Sequence, residues 1–343
     1  MFDINMADPF FSLKDREKIH QEIDLILDDA LSMGQNVKMF EKEFAQKVGA
    51  QHAIAMNSCT STLECAMQYY DIKAREVIVP VETFIATGMC IHLAGGTPVF
   101  AEISRQTFCL DFEDVKKRVT PNTAGIILVH MAGMITPEAH KFRSFCDENG
   151  LFLIEDAAHS PGAILNDKQA GNIGHIGCFS FYPTKVLTSA EGGMLTTNDS
   201  DIASFARSYQ NRGRDMQSVN ECYTIPGRNV RMSEMNALLG RVQLSHLDQY
   251  LNRRQEIAKI YSDKLQNLKG IYLILPDKLE SSSFWKFIIL LDASIDRVGV
   301  TQFMKSEGVS VDWSYLPALH LQPVFRKLYN TYEGQLPNSE DLL

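Results

Sequence analysis

The sequence predicts an α/β protein with a large domain, in which helices cover a mostly parallel sheet, and a smaller α+β C-terminal domain. Three observations lead to this prediction. Short apolar segments alternate with segments of helical periodicity over roughly the first 200 residues, several apolar segments are hydrophobic along their whole length, and the pattern changes after Arg214. Uninterrupted apolar strands separated by helices are typical of a parallel sheet buried on both faces.

The large domain is predicted to begin with a helix over residues 13–33, where apolar side chains recur at helical spacing. Ser58 marks the start of a later helix and Gly150 the end of another, because serine favours N-caps and glycine favours C-caps. The predicted strands are residues 52–56, 76–80, 97–103, 125–130, 151–155, 178–182 and 194–197. The predicted helices between them are residues 58–70, 84–93, 111–119 and 137–149.

The pattern after Arg214 predicts the smaller domain. Residues 233–266 have apolar side chains at helical spacing, and we expect one continuous helix that begins in the first domain and ends in the second. A strand over residues 284–291 and a helix over residues 300–307, ended by Gly308, follow it. The expected domains are residues 1–240 and 241–343, in line with about 150 residues per domain.

The overall composition indicates a soluble globular protein without a nucleic-acid surface. The chain is 45% hydrophobic and 22% charged, and its net charge is -9, whereas phosphate backbones require a clustered positive face. The N-terminus does not resemble a signal peptide, and no apolar run approaches the ~20 residues that span a bilayer. We therefore expect a cytoplasmic protein. The seven cysteines show no metal-ligand spacing, so no metal site is expected.

The residues after the first predicted strand have the character of a phosphate site. Asn57, Ser58, Cys59 and Thr60 follow the strand at residues 52–56 and open the next helix. The free N–H groups of a helix N-terminus, together with hydroxyl groups, bind phosphate well. Taken alone, this stretch favours a simple helix cap by Ser58.

An acid and a lysine stand at the ends of two further strands. Asp156 follows the strand at residues 151–155, with His159 three residues later, and Lys185 follows the strand that contains Ser180. A buried acid needs a partner, and a lysine at a strand end can form a Schiff base with a carbonyl group. Taken alone, Asp156 is as well explained by a turn or helix cap, and Lys185 by an exposed loop.

Together the three groups predict a site for pyridoxal phosphate. Ligands of open α/β sheets bind at the carboxyl ends of the strands, where all three groups lie. Pyridoxal phosphate needs a lysine for its aldehyde, an acid that keeps the pyridine nitrogen protonated, and donors for its phosphate.

At these residues the chain resembles the fold-type-I, pyridoxal-phosphate-dependent aminotransferases, and more narrowly the DegT/StrS-type nucleotide-sugar aminotransferases. The resemblance extends over almost the whole chain and is specific because several motifs occur together. These motifs are NSCTSTL, ETFIAT, VHMAG, IEDAAHSPGA, FSFYPTK…EGGM, GRNVRMSE and YLPALHLQP.

The resemblance implies catalytic roles for two residues. Lys185 would carry the cofactor and move protons, and Asp156 would pair with the pyridinium nitrogen. His159 stands where family members have Gln or His, and its side chain would reach the phenolic oxygen of the cofactor.

The resemblance also implies the remaining contacts. Ala158 and Phe84 would lie against the two faces of the cofactor ring. The phosphate would be held by three residues, namely Cys59, Thr60 and Ser180.

A second subunit would complete the site, because in this family an asparagine from the partner reaches the phosphate. Asn229 stands at that position, so the resemblance implies a homodimer with shared active sites. Arg231 and His320 are candidates for contacts with the substrate.

Three features depart from the family pattern. Cys59 replaces the glycine of a common Ser-Gly-Thr, which preserves the backbone donor. Arg228 replaces an aromatic residue before Asn229 and is expected to alter the shape or charge of the sugar pocket. The chain stops at LPNSEDLL, where relatives continue through a further strand and helix, so we expect an incomplete small domain.

The implied activity is transfer of an amino group from an amino acid, with glutamate expected, to a nucleotide-linked keto-sugar. Related sugar dehydratases have histidine instead of Lys185, and histidine cannot form a Schiff base with the cofactor, so transamination is favoured. A desulfurase would need a reactive cysteine on a mobile loop, and none stands out. A non-catalytic sensor that binds pyridoxal phosphate remains the alternative from a different class, although the acidic charge disfavours the usual DNA-binding module.

Overall fold

A seven-stranded sheet lies at the centre of the computed structural model, which describes residue 5, residues 7–313 and residues 315–343. The strands of the described residues, four of which form two separate two-stranded sheets, are β1 (His52–Met56), β2 (Glu76–Pro80), β3 (Thr97–Ala101), β4 (Thr123–Val129), β5 (Phe152–Asp156), β6 (Ile164–Leu165), β7 (Lys168–Gln169), β8 (Ile176–Ser180), β9 (Gly193–Thr197), β10 (Ile271–Ile274) and β11 (Ile288–Leu291). The strand order of the sheet is β1-β9-β8-β5-β4-β2-β3. Strand β9 runs antiparallel to β1 and β8, and the other pairings are parallel.

Helices cover both faces of this sheet. The helices of the described residues are α1 (Leu13–Leu27), α2 (Gln35–Val48), α3 (Cys59–Tyr69), α4 (Ile85–Leu93), α5 (Phe112–Arg118), α6 (Ala139–Asn149), α7 (Ser200–Gln210), α8 (Glu234–Leu244), α9 (Leu247–Leu265), α10 (Arg297–Ser306), α11 (Pro323–Tyr329) and α12 (Pro337–Glu340). The apolar layer on one face includes residues of α3, α4 and α7, and the layer on the other face includes residues of α2, α5 and α6.

The side chains of each strand alternate between these two layers. In β1, for example, Ile54 and Met56 belong to the first layer, and Ala53 and Ala55 to the second. The prediction of a mostly parallel sheet buried on both faces is therefore confirmed. Most predicted strands fall within two residues of their observed ends, and the strand predicted at residues 178–182 lies two residues earlier, as β8.

The helix predicted over residues 13–33 begins where predicted but is shorter, and the helix that follows it was not predicted. Helix α1 ends at Leu27, and a separate helix, α2, begins after Gly34. The buried carboxylate of Glu234 caps α2, because it accepts hydrogen bonds from the N–H groups of Gly34 (2.8 Å), Asn36 (2.7 Å) and Val37 (3.0 Å). A capping group that lies 200 residues away leaves no local signal in the sequence.

The long helix predicted over residues 233–266 is wrong, because the chain forms two helices there. Helix α8 ends at Leu244 and α9 begins at Leu247. The hydroxyl of Ser245 donates to the carbonyl of Val242, and the Nε2 of His246 lies 2.9 Å from Asp15 in α1. These side chains stabilise a break that the apolar periodicity did not reveal.

After a two-stranded antiparallel sheet, β10-β11, the C-terminal part of the chain packs against one face of the central sheet. Phe325 and Leu336 are fully buried in the same apolar layer as α3. The buried carboxylate of Glu102 accepts a hydrogen bond of 2.8 Å from the N–H of Ser339, so the segment around α12 is held beside β3. Within the described part of the chain, no helix is both long and apolar enough to cross a membrane.

Candidate active site

The polar groups predicted from the sequence meet at one edge of the central sheet. Ser58 follows β1, Asp156 ends β5 and Ser180 ends β8. Because β1 and β8 are both antiparallel to β9, they run in the same direction, and β5 runs parallel to β8. The carboxyl ends of the three strands therefore share the edge at which such sheets bind ligands.

The N-terminus of α3 forms one wall of this site. The hydroxyl of Ser58 caps the helix by accepting a hydrogen bond from the N–H of Ser61 at 3.1 Å. The first N–H groups of the helix, including those of Cys59 and Thr60, have no partner within it. A Cβ atom on Gly193 of β9 would lie 2.3 Å from the carbonyl carbon of Ser58 and 2.5 Å from the nitrogen of Cys59. This glycine therefore allows the strand to pack directly against the start of the helix.

Asp156 is a buried acid whose two oxygens are both hydrogen-bonded. Oδ2 accepts a bond of 2.8 Å from the hydroxyl of Thr87, and Oδ1 accepts one of 3.2 Å from the N–H of Ala158. Burial raises the pKa of Asp156, and the two hydrogen bonds and the nearby Lys185 oppose that rise. A cation bound against this carboxylate would stabilise its ionised form.

Lys185 lies in the turn after β8, and its amine is close enough to Asp156 for the two pKa values to affect each other. Burial lowers the pKa of Lys185 from 10.5 to about 8, although the charge of Asp156 acts in the opposite direction. Among the described residues, Nζ takes part in no hydrogen bond or ion pair, and it lies 4.3 Å from the centre of the Trp285 ring. With a pKa of about 8, half of the amine is neutral at that pH, and the neutral form is the nucleophile.

His159 is a buried imidazole with one unused nitrogen. Burial holds the pKa of His159 well below its ordinary value, so the ring is neutral. Its Nε2 lies 3.3 Å from the hydroxyl of Tyr315, whereas its Nδ1 has no hydrogen-bond partner in the described residues. The ring also stacks on Trp285 with the two centroids 3.7 Å apart.

These residues fit pyridoxal phosphate. The unpaired amine of Lys185 suits an aldehyde, the carboxylate of Asp156 suits a protonated pyridine nitrogen, and the unused Nδ1 of His159 suits a phenolic oxygen. The start of α3 suits a phosphate. Glycine at position 193 keeps this place accessible, because a larger side chain there would collide with the first backbone atoms of the helix.

The predicted ring contacts differ in exposure. Ala158 is partly buried and lies two residues after the buried end of β5, whereas Phe84 is 55% exposed at the start of α4. Phe84 lies 6.1 Å, between ring centres, from Tyr315, which places it on the Tyr315 side of the site.

The segment around Asn229 lies alongside the end of β1. The N–H of Asn57 donates to the carbonyl of Val230 at 2.9 Å, and Arg231 forms a β-bridge with Met56. Asn229 is exposed. Arg231 also donates to the Oδ1 of Asn211 at 2.6 Å, and the predicted contact of Arg231 with a substrate stays a prediction.

His320 lies elsewhere. It is fully buried, its Nε2 lies 2.9 Å from Glu340, and its ring lies 6.2 Å from that of Phe100. The structure does not bring it into contact with the group formed by Lys185, Asp156 and His159, and its role toward the substrate stays a prediction.

Several residues of the site had no role in the sequence-based prediction. Thr87 belongs to the ETFIAT motif, and its position one helical turn after Phe84 was the only signal that it faces the site. Trp285 and Tyr315 come from distant segments, and nothing in their local sequence indicates that they contact His159.

A buried pair beneath the site was also missed. The Nε2 of His130 lies 2.7 Å from Glu155, which also accepts hydrogen bonds from the N–H groups of Ile173 and Gly174. Burial raises the pKa of Glu155, but these hydrogen bonds outweigh it and leave the pKa below its ordinary value. Because side chains alternate along a strand, Glu155 points to the face of the sheet opposite to Asp156. The His130–Glu155 pair therefore stabilises the end of β5 on that opposite face.

Comparisons with known proteins show the family of the chain. Residues 13–343 match the sequence profile of the DegT/DnrJ/EryC1/StrS aminotransferase family. The chain is 37% identical to GDP-perosamine synthase of Caulobacter vibrioides, over 87% of this chain and 80% of the other. It is 33% identical to the spore coat polysaccharide biosynthesis protein SpsC of Bacillus subtilis, over 94% and 86%. The structure of DesI with its TDP-sugar product superposes with a TM-score of 0.88 at 29% identity, over 99% and 85%.

Proposed function

The chain belongs to the DegT/DnrJ/EryC1/StrS aminotransferase family and is a pyridoxal-phosphate-dependent nucleotide-sugar aminotransferase, and from this premise we propose which residues perform the reaction. Lys185 and Asp156 are the catalytic residues, glutamate is the amino donor, and a keto-sugar linked to a nucleoside diphosphate is the acceptor. The reaction belongs to the biosynthesis of aminosugars.

The observation that carries this proposal is the environment of Lys185. The amine lies near the buried Asp156 but forms no ion pair among the described residues, and burial lowers its pKa to about 8. Burying such an amine costs free energy that the fold must offset. Such an environment is typical of lysines that act as nucleophiles and bases. The histidine of sugar dehydratases would lack that nucleophilic amine.

The proposed cofactor contacts rest on the resemblance to the family, and the meeting of the strand ends at one edge of the sheet supports them. Cys59, Thr60 and Ser180 hold the phosphate, with Cys59 acting through its N–H group, because burial raises the pKa of its thiol far above neutrality and leaves it unreactive. The other cofactor contacts are Phe84 and Ala158 at the ring faces, His159 at the phenolic oxygen, Asp156 at the pyridine nitrogen and Lys185 at the aldehyde.

When bound, pyridoxal phosphate supplies an electron sink for the bonds at the amine-bearing carbon. Asp156 sustains that sink by keeping a positive charge on the ring nitrogen. The Lys185 amine takes a proton from the Cα of the amino donor, and in the second half of the reaction it delivers a proton to the sugar carbon that receives nitrogen. His159, neutral and stacked on Trp285, orients the ring without adding charge.

The proposed site is shared between two subunits of a homodimer. The exposure of Asn229 supports this proposal, because its side chain is available to a partner. We also propose that the chain divides into a cofactor domain of residues 1–240 and a small domain of residues 241–343. Arg231 and His320 remain candidates for the substrate side, and a cytoplasmic location remains a prediction from the sequence.

The absorption spectrum of the loaded enzyme tests this function. Glutamate is expected to bleach the visible band of the bound cofactor in the absence of a sugar, and 2-oxoglutarate is expected to restore it. A screen of nucleotide-linked aminosugars as amino donors to 2-oxoglutarate then identifies the sugar and the nucleotide. If neither glutamate nor any other common amino acid changes the spectrum, the proposed donor half-reaction is wrong.

A further inference from the structure

Trp285 contacts three parts of the proposed site at once. Its ring stacks on His159 at a centroid distance of 3.7 Å, with the two planes 18° apart. Its indole N–H donates to the carbonyl of Thr184 at 2.7 Å, directly before Lys185. The Lys185 amine lies over the same ring at 4.3 Å from its centre. One side chain from the C-terminal part of the chain therefore reaches the catalytic lysine, its backbone and its neighbouring imidazole.

The segment that carries Trp285, residues 282–286, is fixed against the large domain by hydrogen bonds. The N–H of Ser283 and the hydroxyl of Ser282 both donate to the carbonyl of Gly133, at 3.1 and 3.0 Å. The hydroxyl of Ser283 donates to the carbonyl of His159 at 2.8 Å, and the N–H of Lys286 donates to that of Ala132 at 3.2 Å.

Helix α9 fixes the same segment from its other side. Arg254 donates to the carbonyl of Phe284 at 2.9 Å, and Gln255 donates to the carbonyl of Ser282 at 3.2 Å. Ser282, Ser283 and Phe284 are buried. Because the segment is held from both sides, the ring of Trp285 has a defined position over Lys185.

We propose that Trp285 is a positioning residue that holds the free amine of Lys185 over its ring, ready to bond to the cofactor or to move a proton. This inference rests on the proposed role of Lys185. The amine of a lysine stands at the end of a flexible four-carbon chain. Holding it in one orientation beforehand lowers the conformational entropy that is lost during the reaction. The face of an indole attracts a protonated lysine more strongly than the ring of any other side chain does, so the ring holds Lys185 in place until its proton leaves and the neutral amine reacts.

Attachment of the cofactor to the protein freed of cofactor tests this role without any substrate. The Lys185 nitrogen forms a C=N bond with the aldehyde carbon of pyridoxal phosphate, and one water leaves without oxidation or reduction. We expect Trp285→Leu to slow this step about tenfold or more, because the amine loses its fixed orientation. Stopped-flow absorbance follows the bond, and borohydride trapping with peptide mapping assigns it to Lys185.

A cofactor analogue without the aldehyde separates positioning from folding. The affinity for 4′-deoxypyridoxine phosphate, which can occupy the site but cannot bond to lysine, is expected to change by no more than about twofold in Trp285→Leu. Trp285→Phe keeps an aromatic face but loses the donor to Thr184. Its rate of cofactor attachment is expected to lie between those of the native protein and Trp285→Leu. Trp313→Leu is the matched control, since Trp313 is the other tryptophan of the chain and contacts Arg297 instead.

Two results would overturn the proposal. Trp285→Leu could attach pyridoxal phosphate at the native rate, or it could lose affinity for the analogue in proportion to its loss of rate, which would indicate a merely structural role. Failure of the unmodified protein to attach pyridoxal phosphate to Lys185 would instead refute the assignment of Lys185 under the proposed function, so the two failures are distinguishable.

Discussion

Lys185 shows how burial alone can prepare a residue for chemistry. Its amine takes part in no ion pair among the described residues, and burial lowers its pKa to about 8 from an ordinary value of 10.5. Between these two values an unfolded chain binds the proton that the folded chain has released, so folding stability is expected to rise with pH across this window. Below pH 8 both forms are protonated and the cost of burying the charge remains.

The same shift predicts the pH dependence of cofactor attachment. In the protein freed of cofactor, the rate of bond formation between Lys185 and pyridoxal phosphate is expected to rise about tenfold per pH unit below pH 8 and to level off above it, because only the neutral amine reacts. Stopped-flow absorbance from pH 6 to 10 measures this profile. A rate that still rises tenfold per unit near pH 10 would show that Lys185 titrates as an ordinary lysine.

Asp156 is expected to act through its charge. Asp156→Asn preserves the shape of the side chain but loses the negative charge, and the loss of about 3 kcal/mol of stabilisation would lower turnover by a hundredfold or more. Single-turnover kinetics with glutamate measure the effect. Thr87→Val is the matched variant, since it removes the hydrogen bond to Oδ2, together with the one between Thr87 and Thr83, but leaves the charge of Asp156 and is expected to cost much less. Near-native turnover of Asp156→Asn would show that Asp156 serves only as a turn or helix-cap residue.

The sequence predicted that Asp156 and Lys185 stand near the ends of two strands, because each is close to a recognisable apolar run and belongs to a specific motif, whereas their catalytic roles rest on the resemblance to the family. The sequence was insufficient for Trp285 and Tyr315. Their contacts with His159 depend on how a segment more than a hundred residues away packs back, and no local pattern encodes that packing.

At the level of elements, the close contact between β9 and α3 shapes the proposed phosphate site. Gly193→Ala is expected to weaken binding of 4′-deoxypyridoxine phosphate about tenfold or more, because its Cβ would lie 2.3 Å from backbone atoms that cannot move aside cheaply. Isothermal titration calorimetry on protein freed of cofactor measures the affinity.

Gly125→Ala is the control for this change. Its Cβ would collide with the ring of Phe152 in the core at 2.2 Å, far from the start of α3, so it is expected to lower the melting temperature while leaving the affinity of the folded protein unchanged. Equal affinity losses in the two variants would show that Gly193 acts only through overall stability.

The elements themselves were predictable where the signal was local. Apolar runs predicted the central strands, and Ser58 predicted the start of α3. The break between α8 and α9 was not predictable, because apolar spacing continues across it and His246 is held by Asp15 from another helix. The start of α2 depends on Glu234 in the same way.

At the scale of the whole molecule, the proposal requires that two chains build each site. Lys185→Ala and Asn229→Ala homodimers are each expected to be impaired. Refolding the two variants together is expected to restore about a quarter of native activity per subunit, because half of the dimers formed at random are mixed and each has one native site of two. If verified mixed dimers give only the average of the two parents, Asn229 does not act on the partner's site.

The direct test of the central claim is the identity of the lysine that holds the cofactor. Borohydride reduction of the loaded native enzyme, followed by proteolysis and mass spectrometry, is expected to find the reduced cofactor on the peptide that contains Lys185 and on no other. Glutamate added before borohydride is expected to abolish this label, because the donor releases the lysine. Label on a different lysine, or none on fully loaded protein, would contradict the account.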